Sequence, residues 1–452
     1  MDLSHKSVLV LGLGLSGRSA ATFCGARGAE VVAADERPHD EIDQLDALQK
    51  SPGIREVRVG APFPDPAEYD ITIPSPGVPE SRYRGKARIA WGDIELAGRF
   101  LQVPVVAVTG TNGKSTTVKL IESMLRHGGR RARAAGNVGT PALSLVGAPL
   151  DLAVLEVSSF QLEATERFQP EIAVVLNLSP DHLDRHGNFR RYAEAKQRIL
   201  AHQGPENIAL LSFDDENVRA MADTTSAEIV GFSLRGEPRD RRLRRAAWLD
   251  GNAAFLREGD QVRRVDLSGC RLPGAHNREN LLAALTTVWL SGVEPEAATG
   301  ALSSFRGLPH RSERISDKLG LEWIDDSKAT NPGAAIRALE GLPRRVIWIA
   351  GGRGKGLPFD ALADCAAKRA ICVLLIGESA SAIEEALAGR LPCESVEDIS
   401  LAVARAAEIG EPGDVVLLAP GCSSLDQFIN FEERGRCFQQ AIEKLETRRV
   451  ST

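Results

Sequence analysis

The chain has 452 residues, of which 43% are hydrophobic and 26% are charged, and its formal net charge is −6. A length of this order accommodates about two to four domains, and the negative balance argues against a general nucleic-acid-binding protein, which normally carries a basic surface. No run of roughly 18 apolar residues is present, so we expect no membrane span. The seven cysteines are widely spaced without a C-x-x-C pair, which favours a reducing cytoplasm over a disulfide framework or a zinc site.

Short apolar runs alternate with Ala- and Leu-rich helical segments from one end of the chain to the other. Such runs are typical of strands that are buried on both faces of a parallel sheet. The alternation therefore predicts an α/β fold. The runs lie at residues 8–11, 105–108, 153–155, 172–176, 346–350, 372–376 and 415–419.

Three blocks can be separated along the chain, and we predict an α/β domain for each. The first, 1–92, opens with a strand, a glycine turn and a helix, and the second, 93–307, contains a different glycine loop. Within the second block, residues 228–267 combine short strands with Gly- and Asp-containing turns, which predicts an antiparallel hairpin region. The third block, 308–452, alternates strand and helix to its end.

The first glycine loop has the spacing G-x-G-x-x-G. Gly12, Gly14 and Gly17 follow an apolar strand and precede a helix, and Asp35 ends the next strand, EVVAAD. This is the dinucleotide-binding fingerprint in its expected context, and on its own it favours an NAD-dependent oxidoreductase. A second phosphate loop lies further along the chain, however, and one enzyme rarely needs both NAD and ATP. The first loop could instead hold the pyrophosphate or the base of another nucleotide, such as a UDP-linked substrate.

The second glycine loop, GTNGKST at 110–116, follows the strand VVAVT and precedes a helix. Glycines let backbone N–H groups converge on phosphates, and the helix N-terminus adds a favourable field. Lys114 can reach the β- and γ-phosphates, and the hydroxyl of Ser115 can bind Mg²⁺. The two glycines are closer together than in the usual G-x-x-x-x-G-K-[ST] motif. The strand before the loop and the helix after it nevertheless indicate a nucleotide site.

Polar side chains follow two buried strands of the second block. Glu156 ends the run ALAVLE, and the run EIAVVLNLSP leads to a polar cluster that contains His182. Because ligands bind at the carboxyl ends of strands in open α/β sheets, we expect both side chains at the nucleotide site. Glu156 offers the hard oxygen that Mg²⁺ prefers. Asn137, in the sequence Gly-Asn-Val-Gly, is a further candidate, although a turn residue is the simpler interpretation.

Together these motifs point to one family. The chain resembles the Mur ligases of peptidoglycan synthesis, and most closely the branch that adds glutamate. The resemblance covers essentially the whole chain, and the motifs occur in family order. They are GLGLSG (12–17), SPGV (75–78), GTNGKST (110–116), EVSSFQL (156–162), NLSPDHLDRHG (177–187), YAEAKQRI (192–199), GAHNREN (274–280), LPHRSE (308–313), DDSKATNP (325–332), GGRGKG (351–356) and SSLDQFINFEERG (423–435).

The resemblance implies a Rossmann-like N-terminal domain, a central P-loop ATPase-type domain with a mostly parallel sheet, and a Rossmann-like C-terminal α/β domain. It implies a cytoplasmic, ADP-forming ligase that adds D-glutamate to UDP-N-acetylmuramoyl-L-alanine through an acyl phosphate. ATP and two Mg²⁺ ions are the expected cofactors. We expect these small molecules as the only partners, without nucleic acid, and a monomeric enzyme.

The functional residues of the family carry over to matching positions. Catalytic roles fall on Lys114, Glu156, His182 and Lys196. The metal ligands would be Ser115, Glu156, His182 and Lys196, the last as a carbamate that converts a cation into a carboxylate-like ligand. ATP would contact Gly110, Thr111, Asn112, Gly113, Lys114, Ser115, Thr116, Asn280, Arg311 and Asp326. The UDP substrate would contact Leu15, Ser16, Asp35, Arg37, Gly77, Asn137 and His182. Glutamate would contact Lys328, Thr330, Lys355, Ser424 and Phe431.

Two positions depart from the family pattern. Glu36 stands where relatives commonly have a small hydroxyl residue, which changes one uridine contact. Arg353 stands where an acidic residue is expected in close relatives, and it adds a cation near the predicted glutamate site.

Three alternatives to a glutamate-adding ligase remain open. They are a sister ligase that adds another amino acid, an NAD-dependent oxidoreductase, and a non-catalytic nucleotide-binding regulator. The residues after Asp326 and around Ser424 favour glutamate. An oxidoreductase does not explain Lys114, Ser115 or Glu156, and the intact set of lysine, glutamate and His182 argues against a non-catalytic regulator. Because the candidate groups come from all three blocks, we also predict that the domains close when ligands bind.

Overall fold

The computed structural model describes residues 2–137, 139–270, 275–303, 305, 307–342 and 345–449. The chain divides into two compact units. The first consists of Met1–Leu178, Ala193–Cys270 and Glu279–Ser304, and the second of Ser179–Tyr192, Arg271–Arg278 and Phe305–Thr452. Within the described part of the chain, no helix is both long and apolar enough to cross a membrane.

The first unit begins with a sheet of four parallel strands, β1 Ser7–Leu11, β2 Glu30–Asp35, β3 Ile54–Val59 and β4 Ile71–Pro74. Their order is β3-β2-β1-β4, so the direction of the strand order changes at β1. Such a change creates a ligand-binding crevice at the carboxyl ends of the strands. The helices in this part of the chain are α1 Leu15–Gly25, α2 Leu45–Gln49 and α3 Asp93–Phe100.

The first unit also contains a sheet of nine strands. They are β5 Val105–Thr109, β6 Ala132–Gly136, β7 Leu152–Glu156, β8 Ile172–Val175, β9 Ile208–Ser212, β10 Glu228–Ser233, β11 Arg245–Asp250, β12 Ala253–Glu258 and β13 Gln261–Asp266. Their order, β13-β12-β11-β10-β9-β8-β5-β7-β6, places β5 between β7 and β8. The loops that follow these three buried strands therefore adjoin one another. The helices from 114 to 299 are α4 Lys114–His127, α5 Ser159–Glu163, α6 Leu183–His186, α7 Phe189–Gln197, α8 Glu216–Ala220, α9 Ala275–Leu290 and α10 Pro295–Thr299.

The predicted antiparallel region is confirmed from β11 onward. β11, β12 and β13 pair antiparallel across two-residue turns, in which Gly251 and Gly259 have φ of 55° and 58°. Positive φ is what such tight hairpin turns require. For β10 the prediction was wrong, because this strand pairs parallel with both β9 and β11. β10 is buried along almost its whole length, as is typical of a parallel strand.

The second unit contains a six-stranded sheet in which only the edge strand β14 is antiparallel to its neighbour. The strands are β14 Glu313–Ser316, β15 Glu322–Asp325, β16 Val346–Gly351, β17 Ala370–Ile376, β18 Cys393–Ser395 and β19 Val415–Gly421, in the order β14-β15-β19-β16-β17-β18. Separate clusters of buried side chains form a core around Trp348 and another around Trp323. The helices are α11 Pro332–Glu340, α12 Asp360–Arg369, α13 Ala380–Leu387, α14 Ile399–Ile409 and α15 Phe431–Arg449.

The three sheets confirm the predicted α/β class, and each of the seven apolar runs lies in a strand or overlaps one. The domain boundaries at 92 and 307 stay a prediction. Residues 179–192, which the sequence assigns to the central domain, group instead with the C-terminal sheet. Within this unit, Asp181 contacts Asn331 and Lys355.

Candidate functional site

The second glycine loop, residues 110–116, is the predicted phosphate loop. It lies at the carboxyl end of β5 and leads into α4. Gly110 and Gly113 have φ of 152° and 87°, values that residues with a side chain rarely adopt. A Cβ atom at Gly113 would lie 2.1 Å from Oδ1 of Asn280, and one at Gly110 would lie 3.0 Å from Cβ of Leu176. The path of the loop therefore requires glycine at both positions. The hydroxyl residues of the loop, Thr111, Ser115 and Thr116, are buried.

Two lysines converge on one carbonyl group of this loop. The Nζ atoms of Lys114 and Lys196 both donate to the Gly110 carbonyl oxygen at 2.9 Å, and Lys114 also donates to the Thr111 carbonyl at 3.0 Å. Lys196 is only 2% exposed, although a lysine on a helix is usually solvated. Lys114 places a cation close to a glycine loop, which favours an anionic ligand such as a polyphosphate.

Glu156 ends β7 beside the phosphate loop and is 2% exposed. Its Oε1 accepts a hydrogen bond from Nδ2 of Asn137 at 3.0 Å. Its Oε2 is buried and has no hydrogen-bond partner among the residues that the structure describes. A buried carboxylate oxygen without a donor is costly, and a divalent cation compensates such an oxygen well. The carboxylate of Glu156 and the buried hydroxyl of Ser115 are hard donors, so this donor set fits Mg²⁺.

Asparagines from distant parts of the chain hold the phosphate loop in place. Oδ1 of Asn177 accepts a hydrogen bond from Asn112 N at 3.0 Å, and the Asn177 carbonyl accepts one from Thr111 N at 2.8 Å. Oδ1 of Asn280 accepts a hydrogen bond from the Thr117 hydroxyl at 3.3 Å. Asn280 is thus packed against the first turn of α4. Asn177 is absent from the predicted site residues, although its place directly after a buried strand is a signal for it.

The first glycine loop is held by Asp35 at the end of β2. Oδ2 of Asp35 accepts a hydrogen bond from Leu13 N at 2.7 Å, and both carboxylate oxygens accept hydrogen bonds from the Arg37 guanidinium. Burial by itself raises the pKa of Asp35, but the hydrogen bonds from Arg37 and Leu13 N outweigh it and lower that pKa. An ionised Asp35 is therefore part of the loop's own structure. Leu15 is exposed and Ser16 is half-buried at the start of α1.

The segment after β4 holds the first glycine loop from its other side. The Ser75 hydroxyl donates to the Gly12 carbonyl at 2.6 Å, and Gly77 lies in the same segment. Glu36, one of the two departures from the family, accepts hydrogen bonds from Nη2 of Arg82 at 2.7 Å. Because β2 and β4 lie on opposite sides of β1, this ion pair crosses the end of the strand that carries the loop.

Four of the predicted glutamate residues lie on the loops that follow β15, β16 and β19, and the fifth, Phe431, begins α15. Nζ of Lys328 is 4.0 Å from the centroid of the Phe431 ring, a cation–π distance. Thr330 N donates to the Lys328 carbonyl at 2.7 Å, so both residues belong to one tight turn. Ser424 is buried in the loop after β19, which is linked to the β15 loop by a hydrogen bond from Gly421 N to the Ala329 carbonyl.

Asp181 is the centre of a polar cluster in the second unit. Its Oδ1 lies 3.2 Å from Nζ of Lys355, and its Oδ2 accepts a hydrogen bond from Nδ2 of Asn331 at 2.8 Å. Nε2 of His182 is 3.7 Å from Oδ2 of the same carboxylate. Burial raises the pKa of Asp181, but the charges of Lys355 and His182 outweigh it and lower that pKa. The ionised carboxylate therefore orients Lys355 and His182, two predicted site residues. Asn331, which also caps α11, is missing from the prediction.

Arg311 and Asp326 lie beside a buried hydrogen-bond network. Burial raises the pKa of Asp326 to about 7, although the nearby charge of Arg311 opposes this shift. Nδ1 of His310 is 2.7 Å from Oδ2 of Asp325, and Glu313 Oε2 accepts a hydrogen bond from His310 N. These last three residues are close enough to hold a metal. Their ligand atoms already bond to one another and to Gln439, so a structural network is the better interpretation.

Two further arginines occupy the loops of the C-terminal sheet. Arg353, the second departure from the family, pairs with Glu378 at 3.0 Å and is half exposed, so its charge is balanced. Arg434 is 1% exposed, and its guanidinium donates to the carbonyls of Ser327 and Cys422. It thereby joins the loop after β15 to the loop after β19. The sequence shows an arginine in an amphipathic helix at this position and provides no signal for its burial.

Comparison with known protein families agrees with the geometry. Residues 108–288 match the Mur ligase middle domain, and residues 310–422 match the Mur ligase glutamate ligase domain. Two solved structures show the same fold. A pseudomurein peptide ligase type C from Methanothermus fervidus is 19% identical with a TM-score of 0.61, over 98% of this chain and 100% of that one. A MurF ligase from Thermotoga maritima in complex with ADP is 20% identical with a TM-score of 0.60, over 98% and 99% of the two chains.

Curated relatives of known name are considerably more similar. The UDP-N-acetylmuramoylalanine–D-glutamate ligase of Koribacter versatilis is 39% identical over 98% of this chain and 99% of its own length. The protein of the same name from Acidobacterium capsulatum is 40% identical over 98% and 97%. Similarity of this extent covers all three sheets and both glycine loops. The chain therefore belongs to the Mur ligase family.

Proposed function

We propose that this protein is an ATP-dependent ligase that joins D-glutamate to UDP-N-acetylmuramoyl-L-alanine in peptidoglycan synthesis. The observation that carries the proposal is the group formed by Lys114, Lys196 and the buried Glu156 around one phosphate loop. Near-full-length similarity to relatives that bear the name of this activity supports the choice of substrates. ATP and UDP-linked precursors are cytoplasmic metabolites, so we place the reaction in the cytoplasm and propose a monomer that acts on small molecules alone.

The chemistry has two steps. An oxygen of the alanyl carboxylate attacks the γ-phosphorus of ATP, which forms an acyl phosphate and releases ADP. The amine of glutamate then attacks the acyl carbon, a proton leaves the nitrogen, and the carbon–oxygen bond to phosphate breaks. Phosphorylation is needed because the carboxylate has no leaving group of its own. The protein's contribution is mostly the positioning of reactants and the neutralisation of charge.

Lys114 binds the β- and γ-phosphates in this proposal, and the backbone N–H groups of residues 110–116 surround them. Ser115 and Glu156 would hold one Mg²⁺, and Asn137 fixes the orientation of the Glu156 carboxylate. The family resemblance also assigns His182 and a carbamylated Lys196 as ligands of a second Mg²⁺. Bound Mg²⁺ would neutralise charge on the transferred phosphoryl group. Asn280, Arg311 and Asp326 contact the rest of ATP.

The two organic substrates bind at the other predicted positions. Leu15, Ser16, Asp35, Arg37 and Gly77 form the UDP pocket, in which the first glycine loop binds a pyrophosphate rather than NAD. Lys328 and Lys355 pair with the carboxylates of glutamate, together with Thr330 and Ser424. Phe431 covers its aliphatic stem. Lys355 is suited to this role because Asp181, which itself accepts a hydrogen bond from Asn331, holds it in place while leaving it partly exposed.

The experiment is phosphate release from ATP and UDP-N-acetylmuramoyl-L-alanine with each of four acceptors: D-glutamate, L-glutamate, L-alanine and diaminopimelate. Release that requires D-glutamate is the expected result. Release with another acceptor alone would move the protein to a sister branch of the ligases. If no acceptor supports release, the assigned reaction is wrong, and titration with NADH would then test the oxidoreductase alternative.

A further inference from the structure

Asp93 is a buried carboxylate between the two predicted nucleotide sites of the first unit. It is the first residue of α3, follows the N-cap Gly92, and is 3% exposed. Its Oδ2 accepts a hydrogen bond from Nε2 of Gln161 at 2.9 Å. The hydroxyl of Ser16, in the first turn of α1, also interacts with this carboxyl group. Within the described residues, Oδ1 has no hydrogen bond of good geometry.

Gln161 continues the connection toward Glu156. Its side chain is 1% exposed, and its Oε1 accepts hydrogen bonds from Ser158 N at 3.0 Å and from the Ser158 hydroxyl at 3.1 Å. The Ser158 hydroxyl in turn accepts a hydrogen bond from Gln161 N, which completes a capping box at the start of α5. Ser158 follows Glu156 by two residues in a turn that this capping box makes rigid.

We propose that Asp93 is a positioning residue that sets the distance between the uridine diphosphate pocket and the carboxylate of Glu156. This inference rests on the proposed function. The path runs from Ser16 through Asp93 and Gln161 to the turn that carries Glu156. The reacting carboxylate belongs to a substrate anchored by its nucleotide, so the spacing of the two sites decides where that carboxylate meets the γ-phosphate. A misplacement of about 1 Å costs on the order of 100-fold in rate.

Glu95, on the same helix, is a buried carboxylate with a purely structural role and serves as a comparison for Asp93. It is 0% exposed, and its Oε2 accepts hydrogen bonds from the backbone N–H groups of Glu166, Arg167 and Phe168. Its Oε1 accepts a hydrogen bond from Arg99. Both oxygens are thus used within the fold, and none of these partners belongs to either nucleotide loop. Asp93 differs because its side-chain partners, Gln161 and Ser16, lie next to the two loops.

Asparagine is the conservative replacement for Asp93 at this site. Burial raises the pKa of Asp93, although the hydrogen bonds from Gln161 and Ser16 oppose the shift. The hydrogen bond from Gln161 needs an acceptor oxygen at the end of this side chain. Asparagine keeps such an oxygen and the planar shape of the group. Asp93→Asn should therefore preserve the connection, whereas Asp93→Ala removes it.

The test compares Asp93→Ala, Asp93→Asn and the control Glu95→Gln in the full-length protein. We expect Asp93→Ala to lower kcat for D-glutamate-dependent phosphate release about 10- to 100-fold, while the Kd values for UDP alone and for ATP stay within about twofold. Asp93→Asn should remain within about fivefold of the wild-type kcat. Glu95→Gln should lower Tm with kcat and KM close to wild type. If Asp93→Ala does not fold, Asp93→Ser serves in its place, because a single short hydroxyl cannot pair with both neighbours.

Two results would overturn the inference in distinguishable ways. In the first, the wild-type protein turns over, and Asp93→Ala lowers Tm but leaves kcat unchanged, as Glu95→Gln does. Asp93 would then be a structural residue only. A wild-type protein without any turnover would remove the proposed function, and the positioning role with it. A kcat loss in Asp93→Ala that Asp93→Asn restores supports the role, since a merely structural carboxylate would not produce that pattern.

Discussion

The two glycine loops share one local design and differ in the residues that surround them. Each follows a buried parallel strand, β1 or β5, and begins a helix. The first loop is held by a carboxylate, Asp35, which bonds to its backbone. The second brings two lysines together at Gly110 and has a buried carboxylate, Glu156, on the neighbouring strand. In the proposed function the glycine turn provides a phosphate-binding backbone in both loops, and the side chains at neighbouring strand ends decide which nucleotide each loop binds and whether chemistry occurs there.

The largest effect is expected when Lys114, the cation of the second loop, is removed. Lys114→Ala should lower kcat for phosphate release by about 100- to 1,000-fold, the cost of losing one preorganised charge-stabilising donor. Lys119→Ala is the matched control, because Lys119 lies on the same helix and pairs with Glu122 away from the loop. Steady-state assays at saturating ATP compare the two. Equal activities of both variants would mean that Lys114 has no special role.

The next effect concerns the carboxylate beside the second loop. Asn137→Ala removes the hydrogen bond that orients Glu156, and we expect the Mg²⁺ concentration for half-maximal activity to rise about 10- to 100-fold. Glu156→Gln should raise it at least as much. Titration of activity with MgCl₂ measures both. An unchanged Mg²⁺ requirement in Glu156→Gln would exclude Glu156 as a metal ligand.

An intermediate effect is expected when the carboxylate of the first loop is neutralised. Asp35→Asn should cost about 1–3 kcal/mol in the free energy of unfolding at pH 7 and raise KM for the UDP substrate, with kcat little changed. Because the folded-state pKa of Asp35 is lowered, its contribution is complete above the unfolded value of about 3.9 and disappears as pH falls through the lowered pKa. The difference between wild type and variant should therefore shrink only in acid. A difference that grows as pH falls would contradict this.

The smallest effect is expected from the ion pair across the first loop. Glu36→Thr removes the contact with Arg82, and because both side chains are more than a third exposed, we expect less than about 1 kcal/mol in stability. KM for the UDP substrate should change by no more than about threefold. Glu56→Thr, which breaks the exposed pair with Arg58, is the matched control. A tenfold rise in KM for Glu36→Thr alone would make Glu36 a genuine uridine contact.

Sequence reasoning predicted what depends on local pattern. The apolar runs, the glycines of both loops and Glu156 at a strand end all follow from neighbouring residues. The connections of Asp181 to Asn331 and Lys355, and of Asp93 to Gln161, join residues far apart in the chain, and no local pattern marks them. The burial of Arg434 and the parallel pairing of β10 were missed for the same reason. Tertiary packing, rather than local propensity, decides each of them.

The most direct test of the account follows an oxygen atom. If the second loop binds the ATP that activates a carboxylate held through the first, one oxygen of that carboxylate must leave with the phosphate. UDP-N-acetylmuramoyl-L-alanine labelled with ¹⁸O in the alanyl carboxylate should release phosphate that contains one ¹⁸O atom, as measured by mass spectrometry, in the presence of ATP and D-glutamate. Unlabelled phosphate at full turnover would contradict the acyl-phosphate route.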